Sequence, residues 1–597
     1  MYTSKKSVQI LVALLKEHGI RHLVLSSGTR NVPLVYSVEN DPFFTCYSVV
    51  DERSAAFFAL GIAQELNRPV AISCTSSTAT ANYLSAITEA FYQKIPLLVL
   101  TGDRDPYMLG QLEDQQIKQF GMYADVIKKQ VNLPVVRSAD DAWYCERLIN
   151  EALLELDHHG KGPVHINVPL ISHEKSFSVP ALPPVRAIRR YEPGRRDPAI
   201  ADKVRELKNA KRILVITGQR WDADAEEARQ ADAFAAKYNC VFATDHMSNL
   251  PIQAALKLYV VAETLSMQAF TELAPDIVIT FGGNFLTNGF KAKFRNLKVK
   301  HWLVNEDGGI VDVFKSLTAI FEGTPSEFFR FFAEQAGAEA RNDGVYYRAW
   351  KQQVDDLILP DMPYSAYTVI RAFAAKLPSD SLLHLSILNS TRICNYFKIP
   401  DRVKVYSNLG AYGIDGTLST FFGQSVSTEK LAFLVIGDLS FLYDMNSARI
   451  QHIGNNVRIL LINNGGGCEF YMNTGKKNSP QLDRHTAARH HASGRGWIES
   501  LGFTYLSASS QEEYEAKLDG LLVKESNAPI VLEVFTEIQT DCDVIHAAFK
   551  VMTVSQADAS VKTRLKSAIK DIIGEDGVNK IRRLRGLPEV ADFNADV

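Results

Sequence analysis

The sequence predicts an α/β protein of three consecutive parallel-sheet domains followed by a C-terminal helical tail. Short apolar strands alternate with helical patterns in three successive blocks, the arrangement that gives parallel sheets with helices on both faces. A stretch rich in Pro and Arg at 176–198 separates the first block from the second, and a chain of 597 residues holds about three or four domains. The expected division is 1–175, a linker at 176–198, 199–340, 341–543, and a tail at 544–597.

Composition narrows the function classes. With 46% hydrophobic residues and a formal charge of −3, the chain can bury a large core and has no basic excess that would call for nucleic acid. Its seven cysteines are scattered and form no C-x-x-C pair, which indicates neither a disulfide framework nor a zinc site and fits a reducing compartment. No apolar run approaches the roughly eighteen residues of a membrane span. The start, SKKSVQILVALLKEHG, brings charges back at Lys16 and Glu17 and has no small-residue cleavage site, so it reads as an amphipathic first helix of a cytoplasmic protein.

In the first block the strands are HLVLSS (22–27), FTCYSVV (44–50), PVAISCT (69–75), PLLVLTG (96–102) and PVHINV (163–168). The second has RILVITG (212–218), CVFAT (240–244), IVITFGG (277–283) and HWLVN (301–305). FGGN could approach phosphate, yet no G-x-G-x-x-G is present, and a plain Rossmann-like spacer domain is the preferred reading. The third block has LLHLS, VKVYSN, LAFLVIGD, VRILLINN and PIVLEVF. The tail carries KTRLKSAIKDIIG and NKIRRLRG, basic helical patterns of the kind found on solvated or oligomer-forming faces.

Two strands of the third block carry the chemistry. LVIGDLS (434–440) ends in Asp438, and LLINNGGG (460–467) ends in Asn464 and three glycines. Magnesium is a hard ion, held by one or two protein oxygens together with substrate phosphates and water. Asp438 and Asn464 supply a carboxylate and an amide oxygen at strand ends, where open parallel sheets bind ligands. The glycines let a backbone carbonyl turn inward. Each piece alone also reads as a turn and a loose loop. In the first block, Glu52 stands between a strand and the apolar helix SAAFFALGIAQ. There it is either a helix-start acid or a desolvated carboxyl suited to bonding a neutral nitrogen.

Taken together, SSGTR (26–30), DERSAAFFALGIA (51–63), TSSTATANYLSAITEA (75–90), LLVLTGDR (97–104), GPVHINVP (162–169), YSNLGAYGIDG (406–416) and GDLSFLYDMN (437–446) resemble the MenD family. These are thiamine-diphosphate enzymes that join decarboxylated 2-oxoglutarate to isochorismate, giving the menaquinone precursor SEPHCHC. The resemblance covers about residues 5–540 and implies a fold of the thiamine-diphosphate enzyme type, with the first domain binding the cofactor's pyrimidine and the third its diphosphate. Glu52 would hydrogen-bond the pyrimidine and promote its imino form. Asp438, Asn464 and the carbonyl of Gly466 would hold magnesium, Ile414 would bend the cofactor, and Gly437, Leu439 and Ser440 would line it. The protein then supplies orientation and electrostatics to the cofactor's chemistry. The Glu52 and Asp438 domains would belong to different subunits of a homodimer or a dimer of dimers.

Arg30, Arg104, Gln115 and Ser390 match substrate-binding positions of the family, and paired arginines suit carboxylates. Other positions depart from it. Leu409 and Cys394 stand where the family usually has arginines, and Gly289-Phe290 replaces a basic pair. Arg392 lies two residues before Cys394, roughly 200° away around a helix. Glu469 replaces an apolar residue, and the loop to Trp497 carries Arg484, His485, Arg489, His490, His491 and Arg495. This loop is either a lid that binds an anionic acceptor through Glu469 and His490 or a solvated basic segment. The expected function is decarboxylation of a 2-oxo acid with transfer of the acyl carbanion equivalent to an anionic acceptor, by a MenD-like carboligase with an altered substrate. A true SEPHCHC synthase, with Arg392 and the histidine loop compensating, and a non-catalytic binding subunit are the alternatives.

Overall fold

The computed structural model describes residues 1–170, 177–188, 200–297, 299–337, 342–474 and 480–555. Residues 176 and 189–198 of the expected linker and both tail patterns lie outside the described residues.

The first domain contains β1 (His22–Leu25), β2 (Thr45–Ser48), β3 (Val70–Cys74), β4 (Leu97–Asp103), β5 (Lys129–Asn132) and β6 (Val164–Pro169). The central domain has β7 (Ile213–Thr217), β8 (Cys240–Thr244), β9 (Ala255–Lys257), β10 (Ile277–Phe281), β11 (Lys300–Val304) and β12 (Leu317–Phe321). In the third come β13 (Leu382–Leu385), β14 (Lys404–Tyr406), β15 (Ala432–Gly437), β16 (Val457–Asn463), β17 (Thr504–Ala508) and β18 (Ile530–Phe535). All strand pairs in the three sheets are parallel.

The first sheet runs β2-β1-β3-β4-β6-β5 and the third runs β14-β13-β15-β16-β18-β17, so both follow the same topology. The central sheet, β9-β8-β7-β10-β11-β12, has the 3-2-1-4-5-6 order of dinucleotide-binding sheets. Inner strands such as β3, β7, β10 and β16 are buried along their whole length, because helices cover both faces of a parallel sheet. Four strands escape the sequence reading: β5, β9, β12 and β17. Each lies at a sheet edge and is only partly buried, so it lacks the continuous apolar run.

One core joins the first and third domains, with Phe57, Phe58 and Ile62 packing among Leu418, Phe421 and Phe422. Helix Glu52–Leu66 lies directly on helix Thr417–Ser425. The approach is so close that a Cβ on Gly61 would sit 2.0 Å from the Thr420 carbonyl oxygen, and one on Gly423 would sit 2.0 Å from that of Phe58. Glycine at both positions is therefore a packing requirement.

Beside this contact runs a buried polar chain. His384 Nδ1 is 3.0 Å from Gln424 Oε1, and the Gln424 amide donates to Gln64. The Gln64 amide donates to Gln93, which in turn donates to Glu89. Glu89 accepts from the backbone N–H groups of Gly410 at 2.8 Å and Ala411 at 2.6 Å. A carboxylate of the first domain thus fixes the third-domain loop that leads to Ile414.

Asp444 is a second link. Fully buried, it accepts from the backbone N–H of Ser419 at 2.7 Å and from the hydroxyl of Ser54 at 3.4 Å. Burial pushes its carboxyl up to about 7. A raised native pKa means that the folded state holds the proton the unfolded chain has released. This group therefore lowers stability as pH climbs from about 4 to 7, by on the order of 4 kcal/mol in total. Asp444→Asn is expected to flatten the melting temperature between pH 5 and 7.5 relative to wild type; parallel curves would refute the assignment.

The boundary expected at 543/544 falls inside helix Ile538–Ser555. Val544, Ile545, Ala548 and Met552 join the third-domain core, so this helix belongs to that domain and any separate tail begins after it.

Candidate active site

Asp438 and Asn464 stand at the carboxyl ends of the adjacent strands β15 and β16. Asp438 is 4% exposed. Its Oδ1 accepts from the backbone N–H of Leu439 at 2.7 Å, and its Oδ2 from those of Gly465 at 2.7 Å and Gly466 at 3.0 Å. Burial raises its pKa, against the opposing pull of His490 and these N–H groups.

The Asn464 amide nitrogen donates to Asp541 Oδ2 at 2.9 Å, which fixes the side chain, while its Oδ1 is buried without a hydrogen-bond partner among the described residues. A buried amide oxygen left unpaired is costly and rare enough to require an explanation. A cation coordinated there supplies one. Gly465 and Gly466 have φ of 76° and 153°, and a Cβ on Gly466 would lie 2.8 Å from the Ala487 carbonyl oxygen. Glycine is thus needed where the turn comes closest to its neighbours. One carboxylate, one oriented amide oxygen and a glycine turn fit a hard divalent ion that brings its own phosphate ligands.

The basic loop lies on this turn. Gly467 N–H donates to the Ala487 carbonyl at 2.7 Å, His490 N–H to that of Gly465 at 3.1 Å, and Arg489 Nη1 to that of Asn464 at 3.2 Å. His490 Nδ1 accepts from Ala492 N–H at 3.1 Å, which leaves the ring proton on Nε2, 3.3 Å from Asp438 Oδ2. The structure therefore places His490 at the Asp438 carboxylate. Glu469 pairs with Arg392: Nη1 and Nη2 donate to its two oxygens at 2.7 and 3.0 Å. Two residues proposed separately from sequence form one bidentate ion pair.

Ser440 Oγ donates to the Ile414 carbonyl at 3.0 Å, tying the helix after Gly437 to the Glu89-anchored loop. Ser390 is buried at the start of helix Asn389–Cys394. Leu409 and Cys394 are 0% exposed in the third-domain core. An arginine introduced at Leu409 would have to be buried.

In the first domain, Glu52 opens helix Glu52–Leu66, with Asp51 capping Ser54 N–H at 3.2 Å. The Glu52 carboxyl is raised, by burial first and by Asp51. Arg30 follows β1 and Arg104 follows β4. Arg30 is 7% exposed, and burial together with the charge of Arg104 lowers its pKa. The Nε of each arginine is buried without a partner among the described residues. Gln115 has φ of 53° and its carbonyl accepts from Ser76 Oγ at 3.0 Å; its side chain is exposed. Glu89 and Asp541 were missed from sequence, because neither has a motif and each acts only through contacts distant in the chain.

The fold and the site together define a thiamine-diphosphate-dependent enzyme. A sequence profile described as "Thiamine pyrophosphate enzyme, N-terminal TPP binding domain" matches residues 5–122. The chain is 38% identical over 560 residues to the 2-succinyl-5-enolpyruvyl-6-hydroxy-3-cyclohexene-1-carboxylate synthase of Bacteroides fragilis, covering 91% of this chain and 98% of that one. It is 37% identical over 551 residues to the enzyme of the same name from Phocaeicola vulgatus, with the same coverage. The chain belongs to this family, the MenD family. The solved structure of benzoylformate decarboxylase from Polynucleobacter necessarius matches the fold with a TM-score of 0.65 at 16% identity, over 90% of this chain and 99% of that one.

Proposed function

We propose that this enzyme decarboxylates a 2-oxo acid and transfers the resulting acyl carbanion equivalent to an anionic acceptor, as a MenD-like carboligase with an altered donor. The observation that carries the reading is the pair Arg30 and Arg104: Arg30 Nη1 donates to the Leu170 carbonyl and Arg104 lies 3.9 Å from Glu113, while the buried Nε of each has no hydrogen-bond partner among the described residues. Guanidinium N–H groups left unsatisfied in this way suit an anionic substrate.

Bound thiamine diphosphate supplies the electron sink for loss of carbon dioxide. Asp438, Asn464 and the Gly466 carbonyl would hold the magnesium of its diphosphate, with Gly437, Leu439 and Ser440 alongside. Ile414 would support the cofactor from the loop that Glu89 anchors. Glu52, whose carboxyl burial holds above its ordinary range, would keep a hydrogen bond to the pyrimidine ring. Arg30, Arg104 and Gln115 would orient the anionic substrate, and Ser390 the donor. The loop at His490 is the element that would open to admit ligands.

The names of the relatives favour a second reading, in which this chain is itself a SEPHCHC synthase. Carbon dioxide release with thiamine diphosphate and magnesium separates the two. Release from 2-oxoglutarate coupled to isochorismate consumption supports the second; release from another 2-oxo acid, indifferent to isochorismate, supports the first.

The same reading makes the active unit a homodimer or a dimer of dimers, with Glu52 and Asp438 of one site drawn from different chains. Exposed apolar side chains on the first domain support it. Tyr107 is 74% exposed, Leu112 is 100% exposed, and Met108 and Leu109 lie between them; clustered apolar exposure of this kind marks contact surfaces. Leu112→Asp together with Tyr107→Asp is expected to shift the light-scattering mass toward a monomer and to lower activity with it. An unchanged mass would rule out this surface.

A further inference from the structure

We infer that the donor subsite takes a 2-oxo acid without a second carboxylate in its tail, because Glu469 already neutralises Arg392, the arginine on the first helix after β13. The inference rests on the carboligase reading above and specifies its donor.

In the third sheet β14 lies to one side of β13 and β15 to the other. The crevice at the carboxyl ends of β13 and β15 is thus the switch point at which open α/β sheets receive ligands. Asp438 follows β15, and Arg392 lies on helix Asn389–Cys394, the first helix after β13. That helix is entered through Leu388 at φ 65°, a conformation that a leucine holds only when its surroundings impose it. Glu469 lies on helix Cys468–Thr474, which begins directly after the glycine turn.

The two side chains meet end to end through both carboxylate oxygens and both terminal guanidinium nitrogens, and Arg392 Nη1 also donates to Asn389 Oδ1 at 2.5 Å. The Glu469 side chain is 14% exposed. A second carboxylate, that of Glu263, also acts on Arg392. The nearby Lys293 Nζ is taken up by the carbonyls of Ala262, Glu263 and Leu265. Cys394 and Leu409 are buried and uncharged.

A substrate tail that brought a carboxylate here would meet an ion pair whose guanidinium end is already taken by Glu469, so its lost hydration would go uncompensated. A neutral tail has no charge to desolvate there, and Met472, whose sulfur is 3.9 Å from Arg392 Nη1, stands beside the pair.

The test is the rate of carbon dioxide release by the full-length enzyme with thiamine diphosphate and magnesium, comparing pyruvate and 2-oxobutyrate with 2-oxoglutarate and 2-oxoadipate. Wild type is expected to favour the monocarboxylic acids by at least about tenfold in kcat/KM. Glu469→Gln removes the charge, keeps an acceptor for Arg392, and is expected to move the ratio at least about tenfold toward 2-oxoglutarate. The double replacement Arg392→Met with Glu469→Leu, which leaves no unpaired charge, is expected to keep the monocarboxylic preference. Wild-type preference for 2-oxoglutarate, or a ratio that Glu469→Gln does not move, overturns the donor assignment and leaves the carboligase reading intact. No release from any 2-oxo acid overturns the carboligase reading and the donor assignment with it.

Discussion

Asp438→Ala is expected to abolish magnesium-dependent binding of thiamine diphosphate, lowering affinity by at least about a hundredfold. Two effects act together. The substitution removes the only carboxylate of the proposed donor set, and it strands the N–H groups of Gly465 and Gly466, which now donate to Asp438 Oδ2. Orphaning buried donors costs about 1–3 kcal/mol each, so the glycine turn loosens at the point where phosphate would approach. Asp438→Asn separates the contributions, because it keeps the size of the side chain and an acceptor oxygen while removing the charge. Cofactor titration by fluorescence or calorimetry, at several magnesium concentrations, reads both variants. Wild-type affinity in Asp438→Ala would refute the metal assignment. An unaltered Asp438→Asn would reduce the role of Asp438 to holding the turn.

For Glu52→Gln the expectation is a split result. Cofactor binding should stay within a few-fold of wild type, since the proposed metal and diphosphate contacts lie in the third domain. Decarboxylation should fall by about 10²–10⁴-fold, the usual contribution of a positioned acid or base. The physical basis is the half-buried setting of the carboxyl at the start of an apolar helix, where burial and the neighbouring Asp51 both favour the protonated form. Glutamine preserves the shape and can still hydrogen-bond a ring nitrogen, but it cannot exchange a proton with it. Steady-state carbon dioxide release alongside a binding titration checks both halves. An unchanged rate would remove Glu52 from the mechanism, and lost binding would make it a structural contact.

The two variants probe domains whose relation to each other no motif reveals. Asp51 and Glu52 begin a helix whose far side packs on Thr417–Ser425 through Gly61 and Gly423. Displacement of that contact would be felt at Asp444, which joins Ser54 to Ser419. It would be felt also at Glu89, whose carboxylate holds the backbone of Gly410 and Ala411. The cofactor residues of the third domain are thus supported in part by side chains of the first, and variants at this contact should alter both stability and cofactor affinity.

What the sequence by itself determined was whatever has a local cause. Inner strands of a parallel sheet are buried on both faces, so β3, β7, β10 and β16 appear as continuous apolar runs, and three alternating blocks follow from them. The pairing of Gly-Asp with Asn-Asn-Gly-Gly-Gly at strand ends is likewise local, because only certain residue types can present oxygen to a hard cation and still let the backbone turn. The edge strands β5, β9, β12 and β17 have no such cause: half of each faces solvent, and their place comes from a neighbouring strand. Tertiary structure alone decided which side chains face one another. It set Asn464 against Asp541, so that the amide oxygen is left open, and His490 against Asp438. It put Glu469 on Arg392, 77 residues apart in the chain, turning two candidate substrate contacts into one neutral pair. Hydrogen bonds and charges act over a few ångströms of space, and the sequence separation of their partners carries no record of that distance.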